Sequence, residues 1–367
     1  MKRRHFLRTS LSLALGTPLI AAIKQSNLDA AAAVLSKAAS AGQIHSASLY
    51  VRHEDDVFAR SFGAANSVDD IFLLASISKP ISAAAVMSLY DRENFRLDDL
   101  VKKFIPEFTD DGRDKITIQH LLTHVSGLPD QLPQNAKLRA RHAKLSEFVD
   151  GAIRTPLLFV PGSRYSYSSM AILLATEVAQ RISGMPFSKL LDETVFNPLK
   201  MKHSALGLGR FKLHDLTRCQ VENAAPESGA GDRSTKSWDW NSEYWRKLGV
   251  PWGGAHGSAT DVARFLNEFL RPSGKSLKPE TARLMVTNHN EQGIRPRGLG
   301  FDIGTRSGSP RCSEKTFGHT GSTGTLCWAD PATDTICVVL TTLPARAVTP
   351  HPRNVASERV AESIDSR

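Results

Sequence analysis

The chain has 367 residues, of which 41% are hydrophobic and 23% are charged, a composition that excludes disordered and fibrous proteins and leaves room for a sizeable core. The length fits one large domain or two interleaved lobes. The formal net charge is +9, but no block of basic residues with interleaved aromatic residues occurs, so we expect a solvated basic face or weak attraction to anionic surfaces and no nucleic-acid partner.

Residues 1–24 have a basic start, a short apolar middle and small residues after it, which is the layout of a secretory signal. Arg3 and Arg4, with the residues that follow them, resemble the twin-arginine export consensus. The apolar stretch is too short and interrupted to cross a bilayer comfortably, and no later run approaches ~18 apolar residues. We therefore expect a periplasmic or secreted protein without a stable membrane span beyond the signal. An ordinary secretory signal and an uncleaved anchor are the alternatives.

The first half of the remaining chain gives two strand signals and several helical signals. Ala and Leu over residues 27–41 predict a helix, and alternating apolar and polar residues predict strands over 44–53 and 57–64. An Ala-rich helix is predicted directly after Ser76. A further helix is predicted over Ser169–Ser183, ending at Gly184.

The last third returns to strand signals. Ser258 and Asp261 resemble a capping box ahead of an amphipathic helix. The predicted strands and the final helix cover residues 299–303, 325–329, 335–342 and 354–364. We therefore predict an α/β protein of the α+β type, with an antiparallel sheet built from both termini, flanking helices and an inserted mainly helical lobe. The boundaries are 25–75 and 255–365 for the α/β lobe, 76–254 for the helical lobe, 25–350 for the whole domain and 351–367 for a C-terminal helix or tail.

Ser76 and Lys79 form a Ser-x-x-Lys pair at the start of a predicted helix. Residues three apart share a helix face, so the amine lies within reach of the hydroxyl, which needs a base before it can act as a nucleophile. The helix N-terminus adds free N–H groups that suit a developing oxyanion. Alone, the pair is equally typical of a surface helix cap.

Further motifs follow in a fixed order, and together they are specific. They are the segments Leu121–Pro129 (LLTHVSGLP), Tyr167-Ser168-Ser169, Trp252-Gly253-Gly254 and His319-Thr320-Gly321. With Ser76 and Lys79, this order resembles the class C β-lactamase-like serine hydrolases, which include β-lactamases, DD-peptidases, D-amino-acid amidases and carboxylesterases. The resemblance covers about residues 28–345.

The resemblance implies a role for each matched residue. Ser76 would form an acyl-enzyme, with Lys79 and Tyr167 sharing the general-base role, and the backbone N–H groups of Ser76 and Ser322 would form the oxyanion hole. The residues implied in substrate binding are Ser169, His319, Thr320 and Gly321. No metal and no organic cofactor are implied, and His124 is interpreted as scaffold.

Two departures from the family pattern narrow the substrate. Ser169 stands where the family has Asn, and His319 stands where β-lactamases have Lys. A Ser hydroxyl is shorter than an amide and offers one donor, and a His is mostly neutral at pH 7 and would bind anions more strongly as the pH falls. We expect an exported serine hydrolase that cleaves an ester, amide or peptide bond of a small molecule or peptide. A β-lactamase proper and a non-catalytic binding module of the same fold are the alternatives.

The cysteines and the tryptophans leave two structural questions open. Cys327 and Cys337 flank a turn-like segment and could face each other across a hairpin, but the four cysteines allow three pairings and buried free thiols are the default. Trp238, Trp240 and Trp245 belong to an aromatic cluster that extends to Trp252. The cluster predicts either an aromatic wall beside the acyl-binding cleft or a loop pinned by its aromatic residues.

Overall fold

The structure is a computed structural model, and it describes residues 25–364. The predicted export signal, residues 1–24, lies outside this range, as does the end of the predicted tail. The α-helices are α1 (Gln25–Ser40), α2 (Ser78–Tyr90), α3 (Ile118–Leu122), α4 (Asn135–Ala140), α5 (Leu145–Arg154), α6 (Ser169–Ser183), α7 (Phe187–Leu191), α8 (Glu243–Leu248), α9 (Ala259–Leu270), α10 (Pro279–Met285) and α11 (Pro352–Glu362). The strands are β1 (Ser46–His53), β2 (Asp56–Gly63), β3 (Phe72–Leu73), β4 (Ala205–Leu206), β5 (Ala255–Gly257), β6 (Asp302–Ile303), β7 (Phe317–Gly321), β8 (Thr325–Asp330) and β9 (Thr335–Thr341).

The main sheet joins the two ends of the chain. Its strand order is β2-β1-β9-β8-β7-β6, and every neighbouring pair is antiparallel. The N-terminal hairpin β1–β2 is completed by the C-terminal strand β9, with Leu49 opposite Val339. The predicted fold class, an antiparallel sheet built from both termini with a mainly helical insertion, is confirmed.

Both faces of this sheet are covered, and the central strands are buried throughout. Along β9, Ile336, Val338 and Leu340 belong to the core shared with α9, whereas Cys337 and Val339 belong to the core under α1 and α11. Successive strand residues point to opposite faces, so the continuous apolar run of β9 serves two cores.

The helical part is organised around α2, whose residues from Ser78 to Leu89 are all buried. A helix that is buried on all sides belongs in a core, and α2 packs against α6 and against residues 192–196, the helical turn that directly follows α7. A second sheet, β3-β5-β4, lies where the chain enters α2, and Leu74 N–H donates to the Ala255 carbonyl at 2.9 Å. Among the described residues, no helix is long and apolar enough to cross a membrane.

Three local expectations are revised. The predicted strand over 299–303 is reduced to Asp302–Ile303. Ser258 caps α9 by accepting from Asp261 N–H, but the Asp261 carboxylate turns to His203 N–H and Ser204 instead of closing a capping box. Cys327 pairs with Val338 in the β8–β9 ladder, which puts Cys327 and Cys337 on opposite faces.

This offset prevents the two thiols from meeting, and all four cysteines are free.

Candidate active site

A strained turn presents Ser76. Ala75–Ile77 form a single 3₁₀ turn that leads into α2, and Ala75 has a φ of 48°, which is unusual for a residue with a Cβ. The end of β7 packs tightly on this turn, because a Cβ on Gly321 would lie 2.5 Å from the Leu74 carbonyl oxygen. Gly321 is therefore required for the close approach of β7 to the Ser76 turn.

Lys79 reaches the Ser76 hydroxyl. Its Nζ donates to Ser76 Oγ at 3.1 Å and to the Trp252 carbonyl at 2.9 Å. Lys79 is 1% exposed, and burial lowers its pKa to about 8. The Asp130 carboxylate opposes this effect, whereas the Arg297 guanidinium adds to it. A neutral amine could still donate to Trp252 while its lone pair accepts from Ser76.

Tyr167 also interacts with Ser76. Burial raises the pKa of its hydroxyl well above the usual value, against the lowering effects of Arg297 and of an interaction with the Ser76 side chain. Lys79 Nζ lies 4.6 Å from the centre of the Tyr167 ring. Tyr167 is therefore a protonated phenol at neutral pH, and Lys79 is the group that loses its proton more readily.

His319 differs from its expected role. Its Nδ1–H donates to the Thr320 carbonyl at 2.7 Å, and its Nε2 accepts from Arg297 Nη2 at 3.0 Å. The imidazole is 2% exposed, and burial lowers its pKa to about 3. His319 thus stays neutral with both nitrogens occupied, and the expected gain in anion binding as the pH falls does not apply.

Arg297, which the sequence analysis missed, supplies a positive charge next to the neutral imidazole of His319. It is fully buried, pairs with Asp302 and holds His319, and its guanidinium carbon lies 5.7 Å from the centre of the Tyr167 ring. Burial acts to lower the pKa of Arg297, but the charge of Asp302 outweighs it with the help of Tyr165 and Tyr167, so the pKa is raised and the guanidinium remains charged. Only the arginine-rich run before the strand at residues 302–303 could have pointed to it.

Ser169 is joined to Asp130, a second residue that the sequence analysis missed. The Ser169 hydroxyl donates to Asp130 Oδ1 at 2.6 Å, and Ser169 N–H donates to the same oxygen at 2.9 Å. Asp130 follows the Leu128-Pro129 end of the matched segment directly, which was the available signal. The pair therefore includes a carboxylate whose charge raises the pKa of Lys79.

A cavity of about 150 Å³ brings half of the eight predicted residues together. Ser76, Tyr167, Ser169 and Ser322 line it, whereas Lys79, His319, Thr320 and Gly321 do not. The backbone N–H groups of Ser76 and Ser322 donate no hydrogen bond to any residue of the described chain. They are free to bind an oxygen in the cavity.

The tryptophan cluster divides between the two expected roles. Trp240, Trp245 and Trp252 line the cavity, so these three form an aromatic wall. Trp238 is buried away from it, and the Tyr244 hydroxyl pins the loop by donating to the Ala143 carbonyl at 2.9 Å.

His124 supports the site from behind. Its Nδ1 accepts from Ser168 N–H at 3.2 Å, and its ring centre lies 4.8 Å from that of Tyr167.

Residues 25–364 contain no group of three or more His, Cys, Asp or Glu side chains that could hold a metal ion.

Comparison with known proteins identifies the family. The family model described as Beta-lactamase matches residues 28–361. Esterase EstB of Burkholderia gladioli is 31% identical, with 70% of this chain and 73% of that protein covered. An Escherichia coli O157:H7 protein named "Putative D-alanyl-D-alanine carboxypeptidase" is 25% identical, with 83% and 80% covered.

Solved structures show the same fold. The D-amino acid amidase of Ochrobactrum anthropi SV3 superposes with a TM-score of 0.73 at 20% identity, with 92% of this chain and 98% of that chain covered. EstCE1, described as a hydrolase with promiscuous acyltransferase activity, gives a TM-score of 0.73 at 21% identity and the same coverage. The chain belongs to the Beta-lactamase family of serine hydrolases.

Proposed function

We propose that this protein is an exported hydrolase that cleaves an ester, amide or peptide bond through an acyl-enzyme on Ser76. The observation that carries the proposal is the convergence on one hydroxyl. Lys79 Nζ lies 3.1 Å from Ser76 Oγ, and the Tyr167 hydroxyl interacts with Ser76. Ser76 and Ser322, whose backbone N–H groups have no acceptor within the described chain, line the same cavity. These are the parts that acyl transfer needs: a nucleophile, a base, an acid and an oxyanion site.

In the proposed first step, the neutral form of Lys79 takes the proton of Ser76 while Oγ attacks the substrate carbonyl carbon. The carbonyl oxygen becomes an oxyanion that accepts from Ser76 N–H and Ser322 N–H. One such donor is typically worth about 2.7–4 kcal/mol of barrier. The pKa of about 8 suits Lys79 to this role, because a base acts best with a pKa near the working pH.

In the second step, the tetrahedral intermediate expels its alcohol or amine, which takes a proton from the Tyr167 hydroxyl. The proton now on Lys79 restores Tyr167. Water then attacks the acyl-Ser76 carbonyl, with the same groups moving the proton, and releases the acid and free Ser76. The raised pKa of Tyr167 keeps its hydroxyl protonated, and therefore able to donate, at neutral pH, and Arg297 stabilises the phenolate that forms transiently.

The substrate assignment rests on the departures and the relatives. Ser169 is engaged with Asp130, and His319 is engaged with Arg297, so neither side chain offers a β-lactam the contacts of the family's Asn and Lys. The relatives bear the names of an esterase, a carboxypeptidase and an amidase. Ester, amide or peptide hydrolysis is therefore preferred over β-lactam hydrolysis.

A substrate panel tests the proposal. The purified protein should turn over at least one of a short-chain nitrophenyl ester, a D-alanyl anilide and a D-Ala-D-Ala peptide faster than a chromogenic cephalosporin, and Ser76→Ala should abolish turnover. If only the cephalosporin is cleaved, the enzyme is a β-lactamase. If nothing is cleaved and a fluorophosphonate fails to label the protein, the binding-module alternative is favoured.

Export through the twin-arginine route is a separate part of the proposal. It rests on Arg3 and Arg4 in the signal-like residues 1–24. The full chain should accumulate in the periplasm or medium of a bacterial host, and replacing both arginines with lysine should retain it in the cytoplasm. Unchanged export of the lysine variant would instead indicate an ordinary secretory signal.

A further inference from the structure

Buried polar atoms without a hydrogen-bond partner among the described residues occur in side chains that line the cavity beside Ser76. Three side chains that line it have such atoms: Arg139 Nη1 and Trp245 Nε1, which are donors, and Gln131 Oε1, which is an acceptor. Buried polar groups are normally hydrogen-bonded, and three exceptions around one cavity mark a place prepared for a ligand.

Arg139 is the charged side chain of the three and therefore has the greatest need of a partner. It is 1% exposed, its guanidinium carbon lies 3.6 Å from the centre of the Trp245 ring, and its Nε donates to Asn135 Oδ1 at 3.3 Å. Within residues 25–364 no carboxylate forms an ion pair with it, and burial lowers its pKa to about 9 although the charge of Glu227 acts in the opposite direction. A buried charge without a direct ion-pair partner is costly, so Arg139 is suited to an anionic group that arrives with a ligand.

Two carboxylates face the same cavity and make the site dipolar. Glu227 and Asp130 both line it. Glu227 lies in a loop that is bound to α4 by one hydrogen bond, which Asn135 Nδ2 donates to the Glu227 carbonyl at 3.1 Å. Asn135 therefore fixes both Arg139 and the Glu227 backbone. Asp130 Oδ1 accepts from Ser169, which leaves Oδ2 available.

We infer that this cavity binds the zwitterionic head of an acyl group that ends in an amino acid, with both an ammonium and a carboxylate. The carboxylate accepts from Arg139 and Trp245, and the ammonium donates to Glu227 and Asp130. The inference rests on the proposed function, since the carbonyl carbon of that acyl group must lie at Ser76. A cavity of about 150 Å³ holds a group the size of benzene, which matches the five heavy atoms of such a head.

A matched set of p-nitroanilides tests this specificity. The γ-glutamyl anilide carries both charges, the glutaryl anilide only the carboxylate, the 4-aminobutyryl anilide only the ammonium, and the butyryl anilide neither. One γ-glutamyl enantiomer should exceed each of the other three in kcat/KM by at least about tenfold, the effect of one good polar contact. Equal or better turnover of any other member would overturn the inference while leaving the proposed function intact.

Binding to Ser76→Ala, measured by calorimetry, separates the inference from catalysis. If no anilide is hydrolysed by the wild type, the proposed function fails for amides. The Ser76→Ala protein should still bind γ-glutamyl anilide at least about tenfold more tightly than butyryl anilide. Equal affinities would contradict the inference on their own.

Variants identify the residues. Arg139→Met, which keeps an apolar contact with Trp245, should lower kcat/KM at least about tenfold for the γ-glutamyl and glutaryl anilides and leave the butyryl anilide unchanged. Its melting temperature should stay the same or rise, because an unpaired buried charge is removed. Arg141→Met is the matched control, since Arg141 lies at the end of the same helix, exposed and paired with Glu147. Uniform loss for all four anilides with a lower melting temperature would show a structural role for Arg139 and contradict the inference.

Discussion

The pH dependence of Ser76 reactivity follows from the charge balance at Lys79. With a pKa of about 8, the neutral fraction of Lys79 is about 9% at pH 7 and about 1% at pH 6, against about 0.04% at pH 7 for an unperturbed lysine. The rate constant for phosphonylation of Ser76 by a fluorophosphonate should therefore rise about tenfold per pH unit up to pH 7 and level off above pH 8.

Two substitutions should move this midpoint in opposite directions. Asp130→Asn removes the charge that raises the pKa of Lys79, so the midpoint should fall below 8. Arg297→Gln removes a charge that lowers it, so the midpoint should rise, while Asp302 keeps Arg295 at 2.7 Å as a partner. Arg295→Gln is the control, because it removes one ion-pair partner of Asp302 and leaves the hydrogen bond between Arg297 and His319 in place. A flat profile in the wild type, or shifts of the same sign in both variants, would refute Lys79 as the base.

Three more predictions concern proton transfer, acid stability and packing. Tyr167→Phe should slow acylation by an anilide by about 10²–10⁴-fold and by a nitrophenyl ester much less, because nitrophenolate leaves without a proton; equal losses in stopped-flow assays would remove Tyr167 as the acid. Burial lowers the pKa of His319 and of His256 to about 3. Below pH 6.5 the unfolded chain therefore binds more protons than the folded protein does. As the pH falls from 6 to 4, the free energy of unfolding should decrease by about 1.4 kcal/mol per pH unit for each histidine. Urea titrations measure this slope, and stability unchanged from pH 7 to 4 would contradict the neutral, buried state. Gly321→Ala should lower both the stability and the rate of acylation, because the added Cβ would clash with Thr325 Oγ1. An unchanged activity and melting temperature would show that the surrounding residues shift to make room for the methyl group.

The periodic parts of the fold were predictable because local pattern determines them. The helix Ser169–Ser183 ends at Gly184 as expected, since a left-handed C-cap with a φ of 68° favours glycine. The hairpin of β1 and β2 was also predicted to within about two residues. The short strand at Asp302–Ile303 was overestimated, because the apolar residues before it serve as core side chains in irregular backbone.

The candidate site was only partly predictable, because its motif residues act through neighbours that no motif contains. Ser76, Lys79 and Tyr167 were predicted from spacing and resemblance, and they lie together in the structure. Arg297 and Asp130 set the charges around them from distant points in the chain, and Arg297 changes the expected role of His319. Such contacts depend on tertiary packing, which sequence periodicity does not encode.

The most direct test of the account is the covalent state of Ser76 during turnover. Rapid acid quenching of the protein with a slow ester or a fluorophosphonate, followed by peptide mass spectrometry, should place one adduct on Ser76 in the peptide that contains Lys79. Ser76→Ala should carry no adduct, and Ser78→Ala should still be modified, because Ser78 Oγ only accepts from Ala255 N–H at 2.9 Å. An adduct on any other residue, or hydrolysis that survives in Ser76→Ala, would contradict the proposed acyl-enzyme.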